Sequence, residues 1–171
     1  PAMGHLARGT NVVQEVVSSG RYTGAIWLEG SPNVEESIYW LNLLIDTPVP
    51  IVGNASQRPH GSIGNDGDLN IVHSVEYLAS RIWADENGRD DVGAVVIQEK
   101  QIFTARDVQK ADARPGGYVA TGGHGGIVGT LGNSGPASLT FRPVKRHTHK
   151  SAVNINRLPG TVQGVQRVDG K

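Results

Sequence analysis

Three stretches of the chain carry side chains that could act together with exposed backbone. The first, LEGSPNVEES at 28–37, places the Ser31 hydroxyl where an apolar run gives way to a helical pattern. A hydroxyl there sits near unpaired backbone N–H groups at the positive end of a helix, a sensible place for a carboxylate-bearing ligand. By spacing alone, Ser31 reads more simply as an N-cap. The second stretch, RPHGSIGNDGDLN at 58–70, combines an Asp66-Gly67 turn signal with Asp68 or Asn70 as caps for a following helix, so structure alone accounts for it. The third, FTARDVQK at 103–110, ends on Lys110, which taken by itself reads as a solvated charge.

Two further patterns compete for attention. TGGHGGIVGTLG at 121–132 could cradle a phosphate, yet its glycines do not give the dinucleotide fingerprint and no strand-to-helix context surrounds it. His147 and His149, in RHTHK, could share a metal on one face of a strand with His124 or His73 as a third ligand. Neighbouring Lys and Arg repel a cation, so neither a metal nor a cofactor is expected.

The elements that would position these groups can be read from the apolar pattern. Val12, Val13, Val16 and Val17 have helical spacing over residues 11–19, with Thr10 or Asn11 as a cap and Gly20 as a stop. Residues 24–28 read as a buried strand, and Val34, Ile38, Leu41 and Ile45 mark a second helix entered through Ser31 and Pro32. Residues 49–53 are a second strand, and residues 54–68 a long polar loop of the kind that usually has a job. Ile71, Val75, Leu78 and Ile82 give a third helical face, and residues 92–97 a third strand.

This alternation predicts an α/β fold, a parallel sheet in three layers of the Rossmann or flavodoxin type, with right-handed crossovers. Beyond residue 97, short β-prone pieces at 101–104, 118–120, 126–131 and 138–141 read as hairpins or edge strands, a C-terminal β-hairpin region. In a doubly wound sheet, ligands bind beyond the carboxyl ends of the strands, at 29–33, 54–70 and 98–110.

Composition narrows the function classes. The chain has 171 residues, enough for one domain with a real core. Sixteen Lys and Arg balance sixteen Asp and Glu, which argues against nucleic-acid and anionic-membrane partners. The absence of cysteine excludes disulfides, thiolate metal sites and a Cys nucleophile. Apolar runs fall short of a membrane span, so a soluble protein is expected, with the cytoplasm as the default compartment. The opening Pro-Ala-Met-Gly reads as an internal start.

In their order and spacing, the three stretches resemble the bacterial-type asparaginase and glutaminase family. The family's second signature, roughly HGTDT followed by Met-Glu-Glu-Thr, stands here as Glu29-Gly30-Ser31-Pro32-Asn33-Val34-Glu35-Glu36-Ser37, continued by Ile38-Tyr39-Trp40-Leu41. VPIVG, Arg58-Pro59, Asp66-Gly67, Leu69-Asn70, the Ala-Arg-Asp-Val run to Lys110, glycines 125, 126 and 129, Arg146-His147-Thr148 and Leu158-Pro159 extend the likeness over most of the chain.

The resemblance implies hydrolysis of the side-chain amide of asparagine, glutamine or a related small amide, in a homodimer or homotetramer. It also implies catalytic roles for Ser31 and Lys110 as a hydroxyl–amine pair, with Gly30 and Ser31 binding substrate. It divides the chain into a partial N-terminal domain, 1–157, lacking its first strands, and a linker or start of a second domain, 158–171.

Departures from the pattern qualify that expectation. Pro32 stands where the family has the Asp that grips the substrate's α-amino group, and Glu29 replaces the signature His. The glycine-threonine motif of the family's first strand, which carries its nucleophile, does not occur in this sequence. The chain is therefore expected to be inactive alone, and a non-catalytic relative that binds a small ligand or partner is the alternative.

Overall fold

The computed structural model of the chain describes residues 3–121, 126–132, 135–143 and 148–156. Helix α1 (Met3–Ser18) leads into strand β1 (Ala25–Leu28), followed by α2 (Val34–Leu44), β2 (Ile51–Asn54), α3 (Gly67–Ser80) and β3 (Val95–Gln98). Strands β4 (Gln101–Thr104), β5 (Val108–Lys110), β6 (Tyr118–Ala120), β7 (Ile127–Thr130) and β8 (Ser138–Leu139) complete it, with a 3-10 turn at Thr148–Lys150. The proposed boundary at 157–158 and the segment after it lie outside the described residues, as do His124, His147, Gly125, Arg146, Leu158 and Pro159.

The main sheet runs β1-β2-β3-β4-β7-β8. Its first three strands are parallel, and β4, β7 and β8 continue it antiparallel. The expected parallel sheet is thus the half that carries the crossover helices. The later hairpins complete it as a mixed sheet because β4 turns back directly on β3 through Glu99 and Lys100, both at positive φ.

Alternation along the central strands sends side chains into two cores. Ile51, Val96 and Phe103 face one core with Val34, Ile38 and Leu41 of α2 and Val17 of α1. Val52, Val95, Ile97 and Ile102 face the other with Tyr77 of α3 and Trp83. Helices therefore cover both faces, which makes the three layers.

Close approach of α2 to the sheet depends on Gly53. A Cβ there would fall 2.2 Å from Ile38 Cγ1, and Ile38 is fully buried with nowhere to retreat. Gly53→Ala is expected to destabilise the domain by about 2 kcal/mol, read as a lower urea midpoint at unchanged slope. An unchanged midpoint would mean that α2 shifts freely.

Two expectations need correction. Helix α1 starts at Met3 rather than near residue 11, and its middle is tied down where Trp40 Nε1 donates to Thr10 Oγ1 at 2.8 Å and Thr10 Oγ1 donates to the Leu6 carbonyl at 2.7 Å. Helix α3 buries Asn70, His73, Ser74 and Tyr77 and leaves Ile71 and Val75 exposed, so only Leu78 and Ile82 of the expected face pack inward. The helix is rotated because polar groups at the strand ends need Asn70 and Ser74. No described helix is long and apolar enough to cross a membrane.

Candidate active site at the carboxyl ends of the strands

Strand β1 stops one residue before Glu29, whose N–H still donates to the Asn54 carbonyl at 3.1 Å and so stays in line with β2. The chain then turns: Asn33 N–H donates back to the Gly30 carbonyl at 3.2 Å, enclosing Ser31 and Pro32. The N-cap of α2 is Asn33, which corrects the reading of Ser31 and Pro32 as cap and first helical residue. Released from capping, the Ser31 hydroxyl is available to another element.

That element is the β5–β6 ribbon, a two-stranded sheet separate from the main one. Lys110 and Tyr118 lie directly opposite each other in its antiparallel register. Lys110 Nζ donates to Ser31 Oγ at 2.6 Å, and Tyr118 Oη donates to the Ser31 carbonyl at 2.8 Å. The Lys110 backbone N–H donates to the Glu35 carboxylate in the first turn of α2. A hydroxyl, an amine and a phenol thus converge on one turn, with two carboxylates of α2 close behind.

Burial shapes the ionisation of this cluster. Desolvation raises the Glu35 pKa, the Lys110 N–H hydrogen bond pulls it back, the Glu36 charge raises it and the Lys110 charge lowers it. The Tyr118 phenol is pushed up well beyond its ordinary value, first by burial and then by Glu35, Asp66 and Glu36, so it serves as an O–H donor at neutral pH.

The neighbouring loop is organised by Asp66. Its carboxylate accepts the backbone N–H groups of Gln57 and Arg58, at 3.0 and 2.9 Å, and Gln98 Nε2 at 2.7 Å. Asn70 Nδ2 donates to the Ala55 carbonyl and to Gln98 Oε1, both at 3.0 Å, and Asn70 Oδ1 accepts Glu99 N–H at 3.1 Å. This buried network joins the ends of β2 and β3, and Gln57 Nε2 extends it to the ribbon by donating to the Asp112 carbonyl at 3.1 Å. Asp66, rather than Asp68 or Asn70, is the N-cap position of α3. A cleft of about 240 Å³ opens beside it, with Glu29, Asn54, Ser56, His60 and Asp68 among its lining residues; neither Ser31 nor Lys110 forms part of its wall.

Sequence reasoning did not single out Glu35, Tyr118, Gln57 or Gln98. A Gln closing the apolar run VVIQ was the one available signal, since an amide at the end of a buried strand needs partners. The remaining candidates separate. Residues 122–125 of the glycine-rich stretch lie outside the described residues, and the described part contains β7, an interior strand between β4 and β8. His73 is buried in α3, whereas the His149 ring contacts the Thr47 carbonyl at 3.1 Å. Among the described residues no three His, Asp or Glu side chains gather to hold a metal ion.

The family model for the N-terminal domain of asparaginase matches residues 3–128. A glutaminase-asparaginase of Acinetobacter glutaminasificans is 33% identical over 161 residues, which is 92% of this chain and 45% of that protein. An L-asparaginase of Bacillus licheniformis is 35% identical over 109 residues, 64% of this chain and 32% of that protein. L-asparaginase 2 of Escherichia coli strain K12 is 24% identical over 135 residues, 79% of this chain and 36% of that protein. The chain therefore spans less than half the length of each of these relatives.

Proposed function

Because the chain belongs to the asparaginase family, we propose that it supplies the Ser31–Lys110 pair of an amidohydrolase acting on the side-chain amide of asparagine or a related small amide. The observation that carries this reading is the 2.6 Å hydrogen bond from Lys110 Nζ to Ser31 Oγ across the mouth of the sheet. In it, the Lys110 amine holds and polarises Ser31 Oγ, and Ser31 relays a proton from the attacking hydroxyl or water while helping the Gly30 backbone hold the substrate. Overall the carbonyl carbon gains the oxygen of water, the C–N bond breaks, and the nitrogen takes up a proton and leaves as ammonia.

A coupled ammonia assay with asparagine, glutamine and N-substituted amides, on the protein that carries this chain, tests the reading. No ammonia above the blank from any of them would hand the site to the second reading, a non-catalytic relative that binds a small ligand. Pro32 favours that second reading, because its side chain offers no charge or acceptor to a substrate ammonium.

Pro32→Asp is the sharper probe. The turn is closed by Asn33 N–H and the Gly30 carbonyl, so it does not depend on the proline ring. Supplying a carboxylate partner is expected to lower KM for free asparagine about tenfold, at little cost in kcat. An unchanged KM would show that the pocket is shaped for a substrate without that ammonium.

A homodimer or homotetramer in the cytoplasm completes the proposal. Cell fractionation decides the compartment, since one similar protein, from Haemophilus influenzae, is named a probable periplasmic L-asparaginase.

A further inference from the structure

Lys110 reaches Ser31 from a ribbon outside the main sheet, so the height of that ribbon decides whether the amine and the hydroxyl meet. Two bonds set it at Lys110 and its cross-strand neighbour. Glu35 accepts the Lys110 backbone N–H, pinning β5 to the first turn of α2, while Tyr118 Oη pins β6 to the Ser31 carbonyl at 2.8 Å. A lysine beside a glutamate ordinarily turns its amine to the carboxylate; here the carboxylate takes the backbone N–H and the amine goes to Ser31.

We propose that Glu35, with Tyr118, is a positioning residue for Lys110, and that Glu35 acts through its acceptor oxygen rather than through its charge. The inference rests on the reading that gives the Ser31–Lys110 pair a role in amide hydrolysis. A misplacement of about 1 Å at such a pair is enough to cost a large part of the rate.

The pairing can be read without any substrate. Acylation by N-hydroxysuccinimidyl acetate, followed by peptide mass spectrometry, gives the labelling rate of Lys110 against Lys150, which is held by Asp91 at 2.7 Å and serves as an internal reference. In the unaltered protein Lys110 is held back by its bond to Ser31. Glu35→Asp keeps the charge but withdraws the acceptor by one methylene, and is expected to raise Lys110 labelling about fivefold. Glu35→Gln keeps the acceptor, loses the charge, and is expected to label within about twofold of the unaltered rate. Tyr118→Phe removes a single O–H donor and is expected to give about a threefold rise.

Thermal melts followed by circular dichroism accompany each variant. Should Glu35→Asp fail to fold, the Glu35→Gln and Tyr118→Phe rates decide. Unchanged labelling in Glu35→Asp or Tyr118→Phe, or faster labelling in Glu35→Gln, would overturn the inference. Loss of ammonia release alone would strike the functional reading and leave this one standing.

Discussion

Replacing Lys110 by methionine is expected to lower kcat for amide hydrolysis about a thousandfold, with the melting temperature almost unchanged. Methionine has nearly the length of lysine and no donor, so the substitution removes the bond to Ser31 Oγ and little else. The ribbon survives because its ladder with Tyr118 and its bond to Glu35 use the Lys110 backbone. Ser31→Ala should cost a similar factor, and the double variant little more than either alone, since groups acting as a unit lose their effect together. Steady-state ammonia release measures all three. An unaffected rate in Lys110→Met would remove that residue from the chemistry, and fully additive losses would mean that the two side chains act separately.

That pair illustrates what the sequence does and does not make legible. The alternation of Val95, Val96 and Ile97 between two cores follows from strand geometry alone, and with it the three layers and the rim where ligands bind. Lys110 is different. It meets Ser31 across 79 positions, from a three-residue strand holding one buried apolar side chain, and that strand exists because Tyr118–Ala120 lies beside it. No local pattern encodes such a pairing; it became visible only through the likeness of the surrounding run to a family.

Ser31 failed as a cap for a related reason. Pro32 is well suited to the first turn of a helix, yet Asn33 takes the cap position and the turn swings Ser31 toward the ribbon. Helix α3 shows the converse error. Its apolar spacing pointed to Ile71 and Val75, but the groups at the ends of β2 and β3 require Asn70 and Ser74 inside, where Asn54 Nδ2 donates to Ser74 Oγ at 3.0 Å. Unpaired polar groups at that rim would cost more than burying two apolar side chains returns.

Asp90→Asn is expected to stabilise the protein at pH 8 by about 3 kcal/mol and to leave it unchanged near pH 4. Asp90 is buried beneath the second core, where its carboxylate accepts the backbone N–H groups of Val92 and Gly93 at 3.1 and 3.0 Å. Those bonds favour the charged form, as does Lys150, but burial outweighs them and the Asp91 charge adds to it, raising the pKa to about 6. The raised folded value means that the stabilising contribution is complete below the ordinary aspartate pKa and is lost as pH climbs through about 6. Neutral Asp and Asn are nearly isosteric and each keeps one carbonyl oxygen to accept from these N–H groups, which is why the proteins should agree in acid. Tyr77 and Arg142 also face this region; the Tyr77 phenol, fully buried, is driven well above its ordinary value by desolvation first and the Asp90 charge second. Urea unfolding at intervals from pH 4 to pH 8 measures the difference between the two proteins. A gap that does not widen with pH would mean that Asp90 keeps its charge in the fold at a cost the surrounding N–H groups and Lys150 fully offset.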